Sequence, residues 1–416
     1  MEASWRFCRS GRTTGAGSRL KTVDLIYFNA GGGHRAAALA LEQAMAWRPW
    51  RVRLVNLTEM LDPQGSFRRL TGMEPEDIYN RHLASGFTLG LTQQLKIVQG
   101  LIRLSHNALV QRLQMHWLRT EPDLVVSLIP NFNRALCESL VSVLPGVPYV
   151  TVLTDMADHP PHFWIEPGQP QQHLVCGTAY AANQALLAGC AAGRVHRVSG
   201  MILRPAFYES PAMDRVAARR ALGLDPMQAT GLVLFGGRGT PAMKRIAKLL
   251  PEVPLILLCG HNHALANELR ALPAPAPRVV MEFTPDVAHW MRLADFFMGK
   301  PGPGSLSEAV QQGLPVITSR NAWTLPQERF NTDWVREHGL GLVVGSMCKL
   351  RPALTELLRR LDEFKANARR IDNRAVFEVP DILAAILEPV ARPLASIPAG
   401  VAVAVGGQPL NASERN

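Results

Sequence analysis

One unit recurs along this chain and limits what it can fold into: a short apolar run, a glycine-rich turn, then a stretch with helical spacing. Residues 23–28 run into Asn29-Ala30-Gly31-Gly32-Gly33 and on into a helical stretch over 35–45, and 52–57 reads as the next strand. Residues 124–129 follow Glu-Pro-Asp and residues 149–153 follow Gly-Val-Pro, and both read as strands. The second half repeats the unit, with 232–235 entering Gly236-Gly237-Arg238-Gly239, 255–259 entering Gly260, 296–298 entering a third glycine-rich turn, and 316–319 beyond it. Parallel strands need a crossover, usually a helix, so strands that alternate with helices predict βαβ units and parallel sheets.

At 416 residues the chain exceeds what one core normally serves. The expected architecture is α/β, two Rossmann-like domains facing each other across a cleft. The first spans 21–204 and the second 205–375, joined near 204–213, where Pro205 and Pro211 interrupt the pattern. Residues 1–20 read as a flexible basic leader, and 376–416 as a segment partly packed back or flexible. The leader lacks the apolar core of a secretory signal. No run of about 18 uncharged apolar residues occurs, so a spanning helix is not expected. Six scattered cysteines with no Cys-x-x-Cys pair argue against a zinc site or a disulfide frame and fit a reducing cytosol.

A net charge of +10 favours anionic partners. Residues 78–120 contain no acid, while Arg81, Lys96, Arg103, Arg112 and Arg119 alternate with Leu95, Val98, Ile102, Leu109, Leu113 and Trp117. Such a stretch either lies in the headgroup layer of an anionic membrane, with Lys96, Arg103, Arg112 and Trp117 as contacts, or packs its apolar side inside the first domain.

Two turns carry the chemistry. Consecutive glycines at Gly31, Gly32 and Gly33 let a ligand approach the backbone, the helix after them offers amide donors to an anion, and His34 and Arg35 then stand at the cleft. Gly31-x-Gly33-x-x-Ala36 also fits a relaxed dinucleotide fingerprint, but the second strand ends in Asn56 and Leu57 without the acid that would hold a ribose. In the second half Gly299-Lys300-Pro301-Gly302-Pro303-Gly304-Ser305 opens a helix that carries Glu308. Its amides suit a diphosphate and its carboxylate suits ribose hydroxyls, and it is not a Walker loop.

Together these residues resemble the monogalactosyldiacylglycerol synthases and related diacylglycerol glucosyltransferases, over about residues 22–345. Gly31 through Ala36 is similar to that family's opening signature, and Gly302-Pro303-Gly304 through Glu308 to its donor loop. Val152-Leu153-Thr154-Asp155 with His159-Pro160 and Trp164 resembles the segment between them, although Pro161 and His162 alter the spacing. Gln327-Glu328 with Asn331 resembles the Gln-Glu and Asn that the family carries beyond its donor loop.

The resemblance implies a GT-B fold, a UDP-sugar donor, inversion, a lipid acceptor such as diacylglycerol, and a peripheral place on the cytoplasmic face of the cell membrane. No two Asp residues are separated by a single position, so the metal-binding Asp-x-Asp of the other main glycosyltransferase fold is absent, and neither a cofactor nor a metal is expected. Inverting transfer needs a base for the acceptor hydroxyl: His34 is the first choice, and Asp155, or His159 orienting it, the second. Donor contacts are expected from Gly236, Gly237, Gly239, Gly260, Phe283, Gly302, Pro303, Gly304, Ser305, Glu308, Gln327, Glu328 and Asn331, with Arg238 or Lys300 near the phosphates. Two other classes compete. A dinucleotide-dependent oxidoreductase would leave the second turn without a role, and a nucleic-acid-binding protein is opposed by 6% aromatics and the lack of a matching motif.

Overall fold

The computed structural model describes residues 19–29, 32–62, 65, 69, 99–209 and 212–388. The chain opens with β1 (Lys21–Tyr27), α1 (Gly33–Met45), β2 (Trp50–Asn56), α2 (Leu57–Leu61) and α3 (His106–Thr120). It continues with β3 (Leu124–Ser127), α4 (Asn133–Val143), β4 (Tyr149–Val152), β5 (Gln172–Cys176), α5 (Ala179–Leu187) and β6 (Val195–Arg197). These strands form one parallel sheet in the order β2-β1-β3-β4-β5-β6.

The second half runs α6 (Arg215–Ala221), β7 (Gly231–Leu234), α7 (Pro241–Leu249), β8 (Leu255–Leu258), α8 (His263–Arg270) and β9 (Arg278–Met281). Then come α9 (Val287–Leu293), β10 (Phe296–Gly299), α10 (Pro303–Gln311), β11 (Val316–Ser319), α11 (Pro326–Glu337) and β12 (Gly341–Val344). Its parallel sheet is ordered β12-β11-β10-β7-β8-β9, the dinucleotide-fold order read from its far edge. Strands covered by helices on both faces read as unbroken apolar runs, which is why β3, β8 and β10 are buried at every position.

The last helices among the described residues are α12 (Leu350–Arg359), α13 (Leu361–Arg369) and α14 (Ala375–Leu387). The last returns to the first sheet, where Ala375, Val376, Val379 and Leu383 join the core built on β1 and α1. Asn373 ties this return by donating to the Met201 carbonyl at 2.9 Å, and the Ser199 amide donates to Glu378 at 2.7 Å.

Strand order reverses between β1 and β3 in one sheet and between β7 and β10 in the other. Ligands of open α/β sheets bind beyond the carboxyl ends of the strands at such points. The turns singled out from sequence come directly after β1, β7 and β10.

Candidate active site

On the first sheet's wall, Gly32 adopts a left-handed φ of 80° at the start of α1, a conformation glycine reaches at no steric cost. It sets His34 in the first helical turn, with Nδ1 3.0 Å from Thr154 Oγ1 and the ring 6.0 Å from that of Trp164. Burial pushes the imidazole down to about 4, against a hydrogen bond with the Leu128 backbone. His34 is therefore neutral at pH 7. Gly33 and Arg35 are exposed, and Gly31 lies outside the described residues.

Beside Thr154, Asp155 is buried and accepts from the Trp164 indole at 2.9 Å. Burial raises its carboxyl to about 7, the Trp164 bond opposes that rise, and the charges of Glu328 in α11 and Lys300 after β10 act in opposite senses. The segment after it is shaped by Asp158, which accepts from the amides of His162 and Trp164. His159 was expected to orient Asp155; Trp164 makes that contact, while the His159 ring lies 5.9 Å from Tyr180.

The opposite wall belongs to the second sheet. Gly236, Gly239 and Gly260 all have positive φ, and a Cβ on Gly260 would stand 2.1 Å from the Gly237 carbonyl oxygen. The turns after β7 and β8 thus interlock, held by the His261 amide donating to the Gly237 carbonyl at 2.9 Å. Exposed Phe283 stacks on His261 with ring centroids 4.2 Å apart.

Gly302 caps α10, whose first turn holds Pro303, exposed Gly304 and half-buried Ser305. A Cβ on Gly302 would lie 3.3 Å from Lys300 Cε and 3.5 Å from Glu328 Oε1, so the ion pair of Lys300 Nζ with Glu328 at 2.7 Å borders the donor turn directly. Buried Gln327 has no partner for Oε1. Asn331, fully buried, donates to the Pro301 carbonyl at 2.7 Å and leaves Oδ1 unpartnered, which makes it the strut under the turn. Glu308 keeps 18% of its side chain exposed and pairs with Arg204, from the link between the sheets, at 3.7 Å. Burial raises Glu308 to about 7 against that arginine.

The walls meet. Leu325, at the head of α11, packs in the cluster of Leu153, Phe163 and Trp164, and Phe330 stacks on Tyr180 at 4.4 Å. Asp155 therefore stands within electrostatic reach of Lys300 and Glu328, with His34, Thr154 and Trp164 beside it on its own wall. Arg204 and Tyr180 were not singled out from sequence, since neither stands in a glycine turn. Among the described residues no group of three or more His, Cys, Asp or Glu could hold a metal ion.

The described part of the acid-free stretch carries two stripes. Leu113 and Trp117 face inward, and the Trp117 indole donates to Ser139 at 2.8 Å. Trp117 is fully buried, which corrects its expected role as a membrane contact: its ring fills the space between α3 and α4. Leu104, Met115 and Leu118 are exposed on the other side, beside exposed Arg103, Arg112 and Arg119. Lys96 lies outside the described residues.

Two facing parallel sheets with glycine-rich turns at their switch points define the class, the GT-B fold. Within it, the chain's sequence relatives are monogalactosyldiacylglycerol synthases. It is 27% identical over 366 residues to the probable monogalactosyldiacylglycerol synthase 2, chloroplastic, of Oryza sativa subsp. japonica, covering 80% of this chain and 72% of that one. To monogalactosyldiacylglycerol synthase 1, chloroplastic, of Arabidopsis thaliana it is 25% identical over 400 residues, covering 87% and 70%. No family model matches. Among solved structures, Acinetobacter baumannii MurG aligns with a TM-score of 0.55 at 17% identity, over 87% of this chain and 99% of that one. The UDP-GlcNAc 2-epimerase of Neisseria meningitidis aligns at 0.53 and 14%, over 88% and 99%. The fold is shared by transferases and epimerases, so it is the sequence relatives and the site that bear on the reaction. These relatives support neither a dinucleotide oxidoreductase nor a nucleic-acid-binding protein.

Proposed function

We propose that this chain transfers a hexosyl group from a UDP-sugar to diacylglycerol or a related membrane lipid, with inversion and without a metal. The observation that carries this reading is the meeting of a neutral imidazole and a buried carboxyl, His34 and Asp155, with the Lys300–Glu328 pair and the Gly302 turn. The diphosphate is met by the amides at the head of α10 and by Lys300, which exchanges Glu328 for a phosphate oxygen. Freed, Glu328 joins Gln327 in holding sugar hydroxyls, whose O–H groups satisfy the unpartnered Gln327 Oε1. Glu308 takes the ribose.

Transfer is one displacement. The acceptor hydroxyl gives its proton to His34 while its oxygen bonds the anomeric carbon, and the bond from that carbon to phosphate oxygen breaks, its electron pair leaving on UDP. Asp155, when ionised, stabilises the imidazolium. The acceptor arrives from a membrane on which the Leu104, Met115 and Leu118 face rests. Attachment is peripheral, on the cytoplasmic face, through the exposed Leu104, Met115 and Leu118 and their neighbouring arginines; among the described residues no helix is long and apolar enough to cross a membrane.

The test is a panel of labelled UDP-sugars with lipid vesicles, run beside thermal unfolding with UDP, NAD and an oligonucleotide. UDP at about 100 times its Kd should add about 2.7 kcal/mol of stability. Stabilisation by NAD or oligonucleotide instead of UDP would remove the proposal. Chelation of divalent metals should leave turnover intact.

A further inference from the structure

A second cleft, of about 400 Å³, opens at the other pole of the first sheet. Pro148, Tyr149 and Gln171 line it, where β4 and β5 begin, whereas Asp155 stands just past the end of β4. Strand β4 separates the two by roughly 13 Å. The remaining walls include Arg194, His173 and His196 and an apolar side with Val147 and Ile386, and no acidic side chain lines it.

The three basic groups form a directed chain. Arg194 Nη1 donates to the Gln171 carbonyl at 2.8 Å and stands 2.9 Å from His173 Nε2, and His173 Nδ1 stands 3.0 Å from His196 Nε2. A guanidinium only donates, so His173 Nε2 must accept and its proton sits on Nδ1. That proton points at His196 Nε2, which must also accept, so the second imidazole carries its proton on Nδ1. Both rings are neutral in this arrangement, and they stack with centroids 5.3 Å apart.

What remains is a set of donors only. Among the described residues no acceptor partners Arg194 Nε or Nη2, or His196 Nδ1. Two adjacent guanidinium N–H groups are the fork that grips two oxygens of one oxyanion. A metal ion is disfavoured, since Arg194 adds a positive charge and only two imidazoles are present.

We propose that this cleft is an oxyanion-binding site, separate from the cleft between the sheets, that takes a small phosphate- or carboxylate-bearing molecule with an apolar body. The oxyanion lies on Arg194 and His196, and the body lies along Val147 and Ile386. Because Ile386 belongs to α14, occupancy also fastens the returning helix to the first sheet.

Sulfate is a suitable probe, because its charge is constant across neutral pH. In the full chain labelled with 15N-histidine, the resonances of His173 and His196 should shift saturably with sulfate, with a Kd of about 1 mM or tighter. Arg194→Gln should abolish the shift. His196→Gln, which retains an acceptor for the His173 proton, should weaken it at least tenfold. UDP-induced stabilisation should be unchanged in both variants, so failure at this cleft and failure of the donor-site reading are distinguished. Shifts that rise linearly without saturation, or that persist in Arg194→Gln, would mean an adventitious ion only and would overturn the proposal. If Arg194→Gln fails to fold, the His196→Gln titration decides alone.

Discussion

Asp155 and His34 divide the proton chemistry by their surroundings. Burial holds the carboxyl protonated up to about 7 and holds the imidazole neutral down to about 4. Since kcat/KM reports the free enzyme, its acid limb should fall near pH 7, where Asp155 ceases to be ionised. In Asp155→Asn that limb should move toward 4, with turnover down about tenfold to a hundredfold, whereas His34→Ala should lose about 10²–10⁴ and keep UDP affinity. A limb that stays near 7 in Asp155→Asn would assign it elsewhere. The stability sign is opposite. The folded carboxyl binds its proton more tightly than the unfolded one, so its ionisation costs stability as pH rises from about 4 to 7. Asp155→Asn should therefore raise unfolding stability at pH 8 by on the order of 1 kcal/mol, read from denaturant midpoints. His34, Asp155 and Glu308 were legible because each stands within or just after a strand-end motif. The pairings were not: Trp164 on Asp155 and Arg204 on Glu308, like Glu328 on Lys300, are joined only by the fold.

At the scale of elements, the glycine turns make unequal demands. Gly260 has φ +60° and no room for a Cβ against Gly237, while a Cβ on Gly237 would meet nothing within 4 Å. Gly260→Ala should cost at least about 1–2 kcal/mol and loosen UDP, because two donor-side turns shift together. Gly237→Ala should unfold within about 0.5 kcal/mol of the parent. Equal unfolding midpoints for the two variants would refute the interlock. The same contrast marks what the sequence discloses about strands. Apolar runs such as 255–259 and 296–298 announced β8 and β10, for a strand covered on both faces has no polar positions. β6, β9 and β12 lie at the margins of their sheets, are not buried throughout and open with or contain Arg197, Arg278 and Gly341, so their short apolar runs did not stand out; β5 begins with polar Gln172 and His173. The Gln172 side chain is satisfied by donating to Thr151 at 2.7 Å, a partnership no local pattern reveals.

Across the whole molecule, charge and apolar surface coincide on α3. A helix that only completed a core would bury one stripe and solvate the other, as the Leu113 and Trp117 side requires. Here the far side exposes Met115 by 72% and Leu118 by 55%, with Leu104 just ahead of the helix at 86%, next to arginines and in a chain with net charge +10. An interfacial helix combines those two terms, apolar insertion that salt does not screen and attraction to anionic headgroups that salt does. Binding to vesicles containing anionic lipid should therefore fall as salt rises but not vanish. Met115→Ser with Leu118→Ser should weaken it at least tenfold at any salt, since two apolar side chains no longer leave water. Arg112→Gln with Arg119→Gln should flatten the salt dependence instead, at about 1 kcal/mol per charge removed near the surface. Turnover of lipid acceptor should track vesicle binding in both pairs, while UDP affinity stays fixed, because α3 flanks the first sheet and the donor turns belong to the second. Sedimentation with vesicles separates the two contributions. Unchanged binding by the serine pair would leave the exposed stripe without a membrane role and move the acceptor's approach to another face of the first sheet.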